Sequence, residues 1–290
     1  MRYAFIVAER EKYSVAMLCR VLGVTEQGFF AWKKRGARPP PDERKLRDEI
    51  RLIHAASKRR YGSPRVYQEL VYRGRGCGKH RVERLMREEG LRGKAARKFR
   101  HTTDSSHGRP VAPDLVDREF HAEAPNRVWV GDITYLWTKE GWMYLAVWVD
   151  LFSRMVVGWA LGTRLKAELV TTAFARAVSR RRPGPGLIVH TDRGVQYVSD
   201  AFQKALEAAR AKPSMGRTGA CWDNAVAESF FHSLKVEAIY GSDIQTRREM
   251  EQEVFDYVER FYNKTRRHST IGYCSPLRFE QTFRVEKIAA

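Results

Sequence analysis

Three carboxylates in this 290-residue chain stand out by their placement: Asp132, Asp192 and Glu228. Asp132 interrupts the apolar run WVGDITYL, where a charge costs on the order of several kcal/mol unless an ion pair or a metal takes it up. Asp192 closes the run LIVHT, directly before an Arg193-Gly194 turn, where a strand delivers polar groups to a sheet edge. Glu228 sits on a helical pattern whose apolar residues are Ala225, Val226, Phe230, Phe231 and Leu234. Each alone has a structural explanation: a buried ion pair, a turn residue, a solvated helix position. Together they suit Mg²⁺, a hard cation that binds through few carboxylates plus water and substrate phosphate. Two such ions about 3.5–4 Å apart can activate the attacking oxygen and stabilise the leaving one in an in-line displacement at a phosphodiester. The sequence offers no nucleophile–base signature in place of this. It has no P-loop either, because the glycines of Gly74–Gly78 lack the GK[ST] ending.

The elements that must position these groups follow from residue periodicity. Val128–Leu136, Trp142–Val149 and Arg154–Leu161 predict three strands, separated by turn signals at Lys139-Glu140-Gly141 and Asp150–Ser153. A helix over Lys166–Arg182, a strand over Leu187–Thr191, a helix over Asp200–Ala211, a short segment at Pro213–Met215 and a helix over Asp223–Ile239 come next. A further helix, Thr246–Lys264, reads as cover for the core ahead of a partner surface. A three-strand meander followed by alternating helices and strands predicts an α/β core, a mixed sheet with helices on both faces. The ribonuclease H-like architecture has that order, and other α/β folds also produce it.

The chain carries 53 Lys and Arg against 34 Asp and Glu, a net +19, which points to a polyanion partner, most simply nucleic acid. Residues 51–100 alone hold 16 basic and 4 acidic side chains. No apolar stretch approaches the roughly 18 residues of a membrane span, and Glu9, Arg10, Glu11 and Lys12 break any secretory signal near Met1. Cys19, Cys77, Cys221 and Cys274 form no CxxC pair, which argues against a zinc site or a disulfide framework. In the N-terminal third, Val15, Leu18, Val21 and Leu22 mark one helix face. Gly23 supplies a turn, and Thr25 caps a helix with Phe29, Phe30 and Trp32, the outline of a helix-turn-helix. A second helical group runs from Glu43 to about Lys98, with Ser63 as a cap and Pro64 at the first helical position. Its last helix, from Lys79, turns Val82, Leu85 and Met86 inward and Lys79, Arg81, Arg84 and Arg87 outward, as a recognition helix would. The expected organisation is small all-α helix-turn-helix modules at 1–38 and 42–98, a linker at 99–124 and the α/β core at 125–290.

Asp132, Asp192 and Glu228 are spaced D-x59-D-x35-E, with Lys235 seven residues beyond the glutamate. This spacing, with the words WVGDITYL, HTDRGVQY, CWDNAVAESFFHSLKVE and YNKTRRHSTIGYCSP and the upstream RYGSPRVYQEL, resembles the DDE transposases of the IS-three-type insertion sequences and the integrase-core superfamily along the whole chain. The resemblance implies a ribonuclease H-like catalytic core with Asp132, Asp192 and Glu228 on two Mg²⁺ ions, Mn²⁺ able to substitute. It also implies nicking at terminal inverted repeats and strand transfer of the freed 3′-hydroxyl into target DNA. The implied partners are double-stranded DNA, further copies of the chain in a dimer or higher oligomer, and an upstream-frame product. The implied location is the bacterial cytoplasm, at the nucleoid. Lys235 lies two turns, about 10.5 Å, along the helix from Glu228, and Asn224 shares that face, so both are candidate DNA contacts. Arg193, Trp222, Arg266, Arg267 and His268 join them, and Trp222 has packing under the glutamate helix as an equal alternative. Two other readings use the same residues: a non-catalytic DNA-binding regulator, which leaves Asp132 unexplained, and a nuclease on the same core without strand transfer.

Overall fold

The computed structural model describes residues 2–35, 41–94, 112–117, 121–216 and 224–289. It divides into two compact units, 1–93 and 94–290. Among the described residues no helix is long and apolar enough to cross a membrane.

The first unit is helical. Helix α1 (Arg2–Glu9), which the residue pattern does not announce, packs Ile6 against Leu18 and Cys19 of α2 (Val15–Val21) and Phe29 of α3 (Glu26–Arg35). Ser14 Oγ accepts from the Met17 N–H at 3.3 Å and Thr25 Oγ1 from the Gly28 N–H at 3.1 Å, so both helices begin on side-chain caps. Gly23 makes the turn between them with φ +61. Val21, expected inward, is exposed, and Cys19 fills its place in the small core. The next three helices, α4 (Pro41–Ala56), α5 (Ser63–Tyr72) and α6 (Lys79–Glu88), bury Leu46, Ile50 and Ile53, then Val66 and Leu70, then Val82, Leu85 and Met86. Gly62, not Ser63, is the N-cap of α5, and Ser63 is its first helical residue.

The second unit is built on five strands: β1 (Val128–Thr138), β2 (Gly141–Asp150), β3 (Val156–Gly162), β4 (Ile188–Thr191) and β5 (Lys212–Met215), in the order β3-β2-β1-β4-β5. β1–β2 and β2–β3 are antiparallel, while β1–β4 and β4–β5 are parallel. Two crossover helices, α7 (Ala167–Arg181) and α8 (Asp200–Ala208), cover one face, where Trp129, Trp148, Val157, Phe174 and Phe202 form the main core. Successive strand residues alternate between faces. Val130 therefore points the other way and packs with Leu151 and with Ala227 of α9 (Ala225–Leu234). The result is a mixed sheet with helices on both faces. C-terminal to it lie α10 (Arg247–Phe255) and α11 (Pro276–Ala289).

Close approach at two glycines sets the layer spacing. A Cβ on Gly131 would fall 2.2 Å from the ring of Trp148, its pairing partner on β2. A Cβ on Gly158 would fall 2.4 Å from the Ala173 carbonyl oxygen and 2.6 Å from Ala177 Cβ, so α7 sits directly on β3. The strand hairpin is closed by Asp150: its carboxylate accepts from the Asn126 N–H at 2.7 Å, the Phe152 N–H at 2.9 Å and Trp129 Nε1 at 3.3 Å. Since the atoms met at Gly158 belong to helix backbone and cannot rotate away, Gly158→Ala is expected to lose about 2–3 kcal/mol through overpacking. A urea midpoint unchanged from the parent would contradict this packing.

Candidate active site

β1 carries Asp132 past the point where its pairing with β4 ends, since the last parallel pair is Val130 with His190. Asp192 follows the end of β4, where its Oδ1 accepts from the Gly194 N–H at 2.9 Å and shapes the turn. Alternation turns Asp132 to the face that α9 covers, and Glu228 lies in the first turn of α9. The fold therefore brings the three carboxylates into one electrostatic neighbourhood. Burial and then the charge of Asp192 push the Asp132 carboxyl well above its usual range. The Ile133 N–H, donating at 2.7 Å, opposes this, Glu228 reinforces it, and Lys235 opposes it. Among the described residues no three Asp, Glu, His or Cys side chains stand grouped so that they could hold a metal ion as placed. Three mutually repelling carboxylates with one ammonium acting on Asp132 form an oxygen donor set with excess negative charge, which suits a divalent cation.

Structural side chains hold this arrangement from below. Asn224 Nδ2 donates to the Gly131 carbonyl at 3.1 Å, joining the start of α9 to β1 one residue before Asp132. Ser214 Oγ of β5 accepts from the Leu115 N–H at 2.9 Å and pairs with His190 Nδ1 at 2.9 Å, fixing the end of β4. Tyr197 and Trp148, to which the sequence pattern assigns no role, are buried beside the site. For Tyr197, its place five residues after Asp192 in HTDRGVQY is the available signal.

The candidate DNA contacts divide. Lys235 is 9% exposed, its ammonium is pushed below the usual lysine value by burial, and Asp132 counters that shift. It belongs to the carboxylate neighbourhood and begins a π-helical turn, Lys235–Ile239, that extends α9. Asn224 is buried, with its Nδ2 engaged by the Gly131 carbonyl. Arg193 is partly exposed and donates from Nε to the Gly216 carbonyl at 2.9 Å. Trp222 lies outside the described residues.

Arg266, Arg267 and His268 are placed differently from the expectation. Arg266 is 4% exposed, and its guanidinium grips Glu237 at 2.7 Å and 2.9 Å and donates to Ser233 Oγ at 2.9 Å. Tyr257 donates its hydroxyl to the same glutamate at 2.9 Å. Arg267 is buried and donates to the Tyr273 carbonyl at 3.3 Å. His268 lies edge-on to the Tyr262 ring, with centroids 4.7 Å apart, and contacts Arg266 Nη1 at 3.0 Å. A buried guanidinium needs its partners inside the protein. Arg266 and Arg267 are accordingly internal clasps, with Arg266 anchored to the helix that carries Glu228.

On α6 of the first unit, Lys79 and Arg87 are exposed as expected. Arg81 and Arg84 instead turn back onto α4: Arg84 reaches Glu43 at 3.1 Å and Glu88 at 2.7 Å, and Arg81 reaches Asp42 at 3.5 Å. The acidic first turn of α4 attracts them.

The α/β unit, with a carboxylate on each of three elements around a mixed sheet, is an integrase core. The family model described as Integrase core domain matches residues 122–221, a second of the same description matches 228–283, and HTH-like domain matches 41–99. The fold class is thus a ribonuclease H-like core preceded by helix-turn-helix segments. Over 283 residues the chain is 43% identical to the transposase InsF for insertion sequence IS3A of Escherichia coli (strain K12), covering 97% of this chain and 98% of that protein. It is 41% identical over 268 residues to the insertion element IS600 uncharacterized 31 kDa protein of Shigella sonnei, covering 92% and 98%. The chain belongs to the IS3 family of insertion-sequence transposases. Among solved structures, the HTLV-2 integrase catalytic core domain in complex with magnesium is similar at 19% identity and a TM-score of 0.42, over 55% of this chain and 98% of that one.

The internal role of Arg266 has a measurable consequence. Arg266→Ala leaves Glu237 buried without its cation and is expected to cost about 3–5 kcal/mol, while replacing both residues with apolar ones recovers much of the loss. Urea denaturation of the single and double variants checks this. A surface DNA contact would instead leave stability unchanged in the single variant.

Proposed function

We propose that this transposase nicks the ends of its insertion sequence and joins the freed 3′-hydroxyl to a second phosphodiester, with Asp132, Asp192 and Glu228 as the metal-binding triad. The observation that carries this reading is that Asp132, Asp192 and Glu228 share one electrostatic neighbourhood where two strands and a helix meet, so that burial first, and then the charges of Asp192 and Glu228, lift the Asp132 carboxyl well above its usual range. A pair of Mg²⁺ ions, or Mn²⁺ in their place, would activate the attacking oxygen and stabilise the leaving one. Asp132, within β1, and Asp192, just past the end of β4, would hold such ions against the sheet. Glu228 would close the site from α9. Lys235, about two helical turns further along, would meet the DNA strand at its phosphates and offset the charge that strand brings. Arg193 at the rim of the same loop would be a second phosphate contact.

The basic helical unit and the net charge of +19 support double-stranded DNA as the partner. Lys79, exposed on α6, is placed to approach it, and Arg87 would do so while paired with Glu83, as Arg81 and Arg84 would while held by α4. Because each active site works on one strand at a time, two ends require at least two copies of the chain. The upstream-frame product is the further partner that the family implies.

Incubation with labelled inverted-repeat DNA and Mg²⁺ separates the readings. Joined products are expected, cleavage without joining would indicate a nuclease, and a mobility shift alone a regulator. EDTA and Asp192→Asn are each expected to abolish cleavage and joining while leaving the mobility shift in place. Joining by Asp192→Asn at the parent rate would remove the triad assignment. Lys235→Ala is expected to lower end cleavage on the order of a hundredfold, the scale of losing one charged group at a reacting phosphate. Unchanged cleavage would return Lys235 to a purely structural role.

A further inference from the structure

Tyr197 lies in the segment that links Asp192 to α8. Its ring is 1% exposed and is packed edge-on against Trp148 and Phe202, with centroids 6.0 Å and 5.7 Å away. Buried tyrosine hydroxyls ordinarily find a hydrogen-bond partner. This one has none among the described residues. Two more polar atoms next to the carboxylate site share that condition: Trp148 Nε1, whose ring lies on Gly131, and Asn224 Oδ1, whose amide holds the Gly131 carbonyl.

The hydroxyl lies within reach of the carboxylates' charge. Burial raises the Tyr197 pKa well above its usual value, and the charges of Asp132 and then Asp192 raise it further. Gly194 brings ring and carboxylate together: a Cβ built there would fall 3.0 Å from Asp192 Oδ1 and 3.5 Å from Tyr197 Cδ2. Phenylalanine would fill the same space without burying an unpaired donor. The hydroxyl is therefore explained by a partner that it meets in another state of the site.

We propose that Tyr197 is a positioning residue for the metal site. When a divalent cation draws the carboxylates inward, the Tyr197 O–H donates to a carboxylate oxygen of Asp192 or Asp132 that is not used on the cation. This fixes the orientation of that carboxylate, as hydrogen bonds to ligating groups commonly do. The inference rests on the metal-binding reading of the triad. It requires no change in the protonation of any group, only a donor that is unpaired until the ligands close.

Mn²⁺ titration of the full chain, followed by calorimetry and by the cation-induced rise in Tm, tests this without any DNA chemistry. Tyr197→Phe is expected to match or exceed the parent Tm without metal and to bind Mn²⁺ about tenfold more weakly. Parent-like Mn²⁺ affinity in Tyr197→Phe overturns the assignment. So does a lower metal-free Tm with unchanged affinity, which marks a purely structural hydroxyl. Asp192→Asn separates the two levels. If it loses Mn²⁺ binding while Tyr197→Phe keeps it, only the role of the tyrosine falls. If Asp192→Asn binds Mn²⁺ as tightly as the parent, the triad assignment fails and that of Tyr197 with it.

Discussion

Repulsion among carboxylates is the constraint on which the α/β unit depends. Left to itself, a flexible chain would separate Asp132, Asp192 and Glu228. Here each is mounted on an element that cannot move independently. Asp132 is held by ten cross-strand pairs between β1 and β2. Asp192 is held by a four-residue strand whose neighbours on both sides are paired. Glu228 is held by a helix pinned to β1 through Asn224 and to the C-terminal segment through Arg266. The rise in the Asp132 pKa comes first from burial and then from the charges of Asp192 and Glu228 held near it. A cation bound there, as proposed, would relieve the repulsion that the fold imposes by holding like charges together.

The clasp around Glu237 shows where part of that stabilisation lies. Glu237 and Arg266 are both buried, with Tyr257 and Ser233 completing the network. Tyr257 belongs to a π-helical segment, Asp256–Tyr262, that continues α10, and Glu237 belongs to the π-helical segment that continues α9. Both helices widen where they meet the ion pair. π-segments are strained relative to α-helix and tend to persist where a side chain must be re-aimed. Here the widening begins at Lys235, so the residue that opposes the Asp132 shift and the glutamate that receives Arg266 lie on the same turn. The YNKTRRHS segment thus acts on the active site through packing: Asn263 clamps Val156 of β3 through both its amide groups, at 3.0 Å and 2.9 Å, while Arg266 holds the glutamate helix.

Much of this was legible in the residues, for identifiable reasons. The strands β1 to β3 announce themselves by β-branched and aromatic runs closed by Lys139-Glu140-Gly141 and Asp150–Ser153. Asp132 is conspicuous because a charge within an apolar strand has few innocent explanations. The inward-pointing arginines were not legible. Arg266 and a solvated arginine look the same in sequence, because the difference is a glutamate 29 residues away whose burial depends on a helix widening that has no residue signature. Arg81 and Arg84 mislead in the same way, since their partners are on α4, about forty positions upstream. Helix α1 went unread because Arg2, Glu9 and their neighbours obscure a single buried position, Ile6. In each case periodicity reports which face is apolar but not which charge finds a partner on another element.

The same reasoning separates the two kinds of basic residue in the chain. Along α4 and α6, Arg47 joins Glu43 and Glu89 at 3.0 Å and 3.1 Å, and Arg84 joins Glu43 and Glu88, so much of the positive charge of this segment is balanced within the helical unit. Paired arginines keep donors that face outward, and a phosphate can share them without breaking the lattice. Such pairing sets the helices at fixed spacing while the unbalanced remainder, Lys79 among it, supplies the attraction. A net charge read from composition therefore overstates the number of side chains free to bind DNA, but not the sign of the field that DNA would meet. Sequence recognition would then depend on the few exposed side chains of α6, and general affinity on the whole unit.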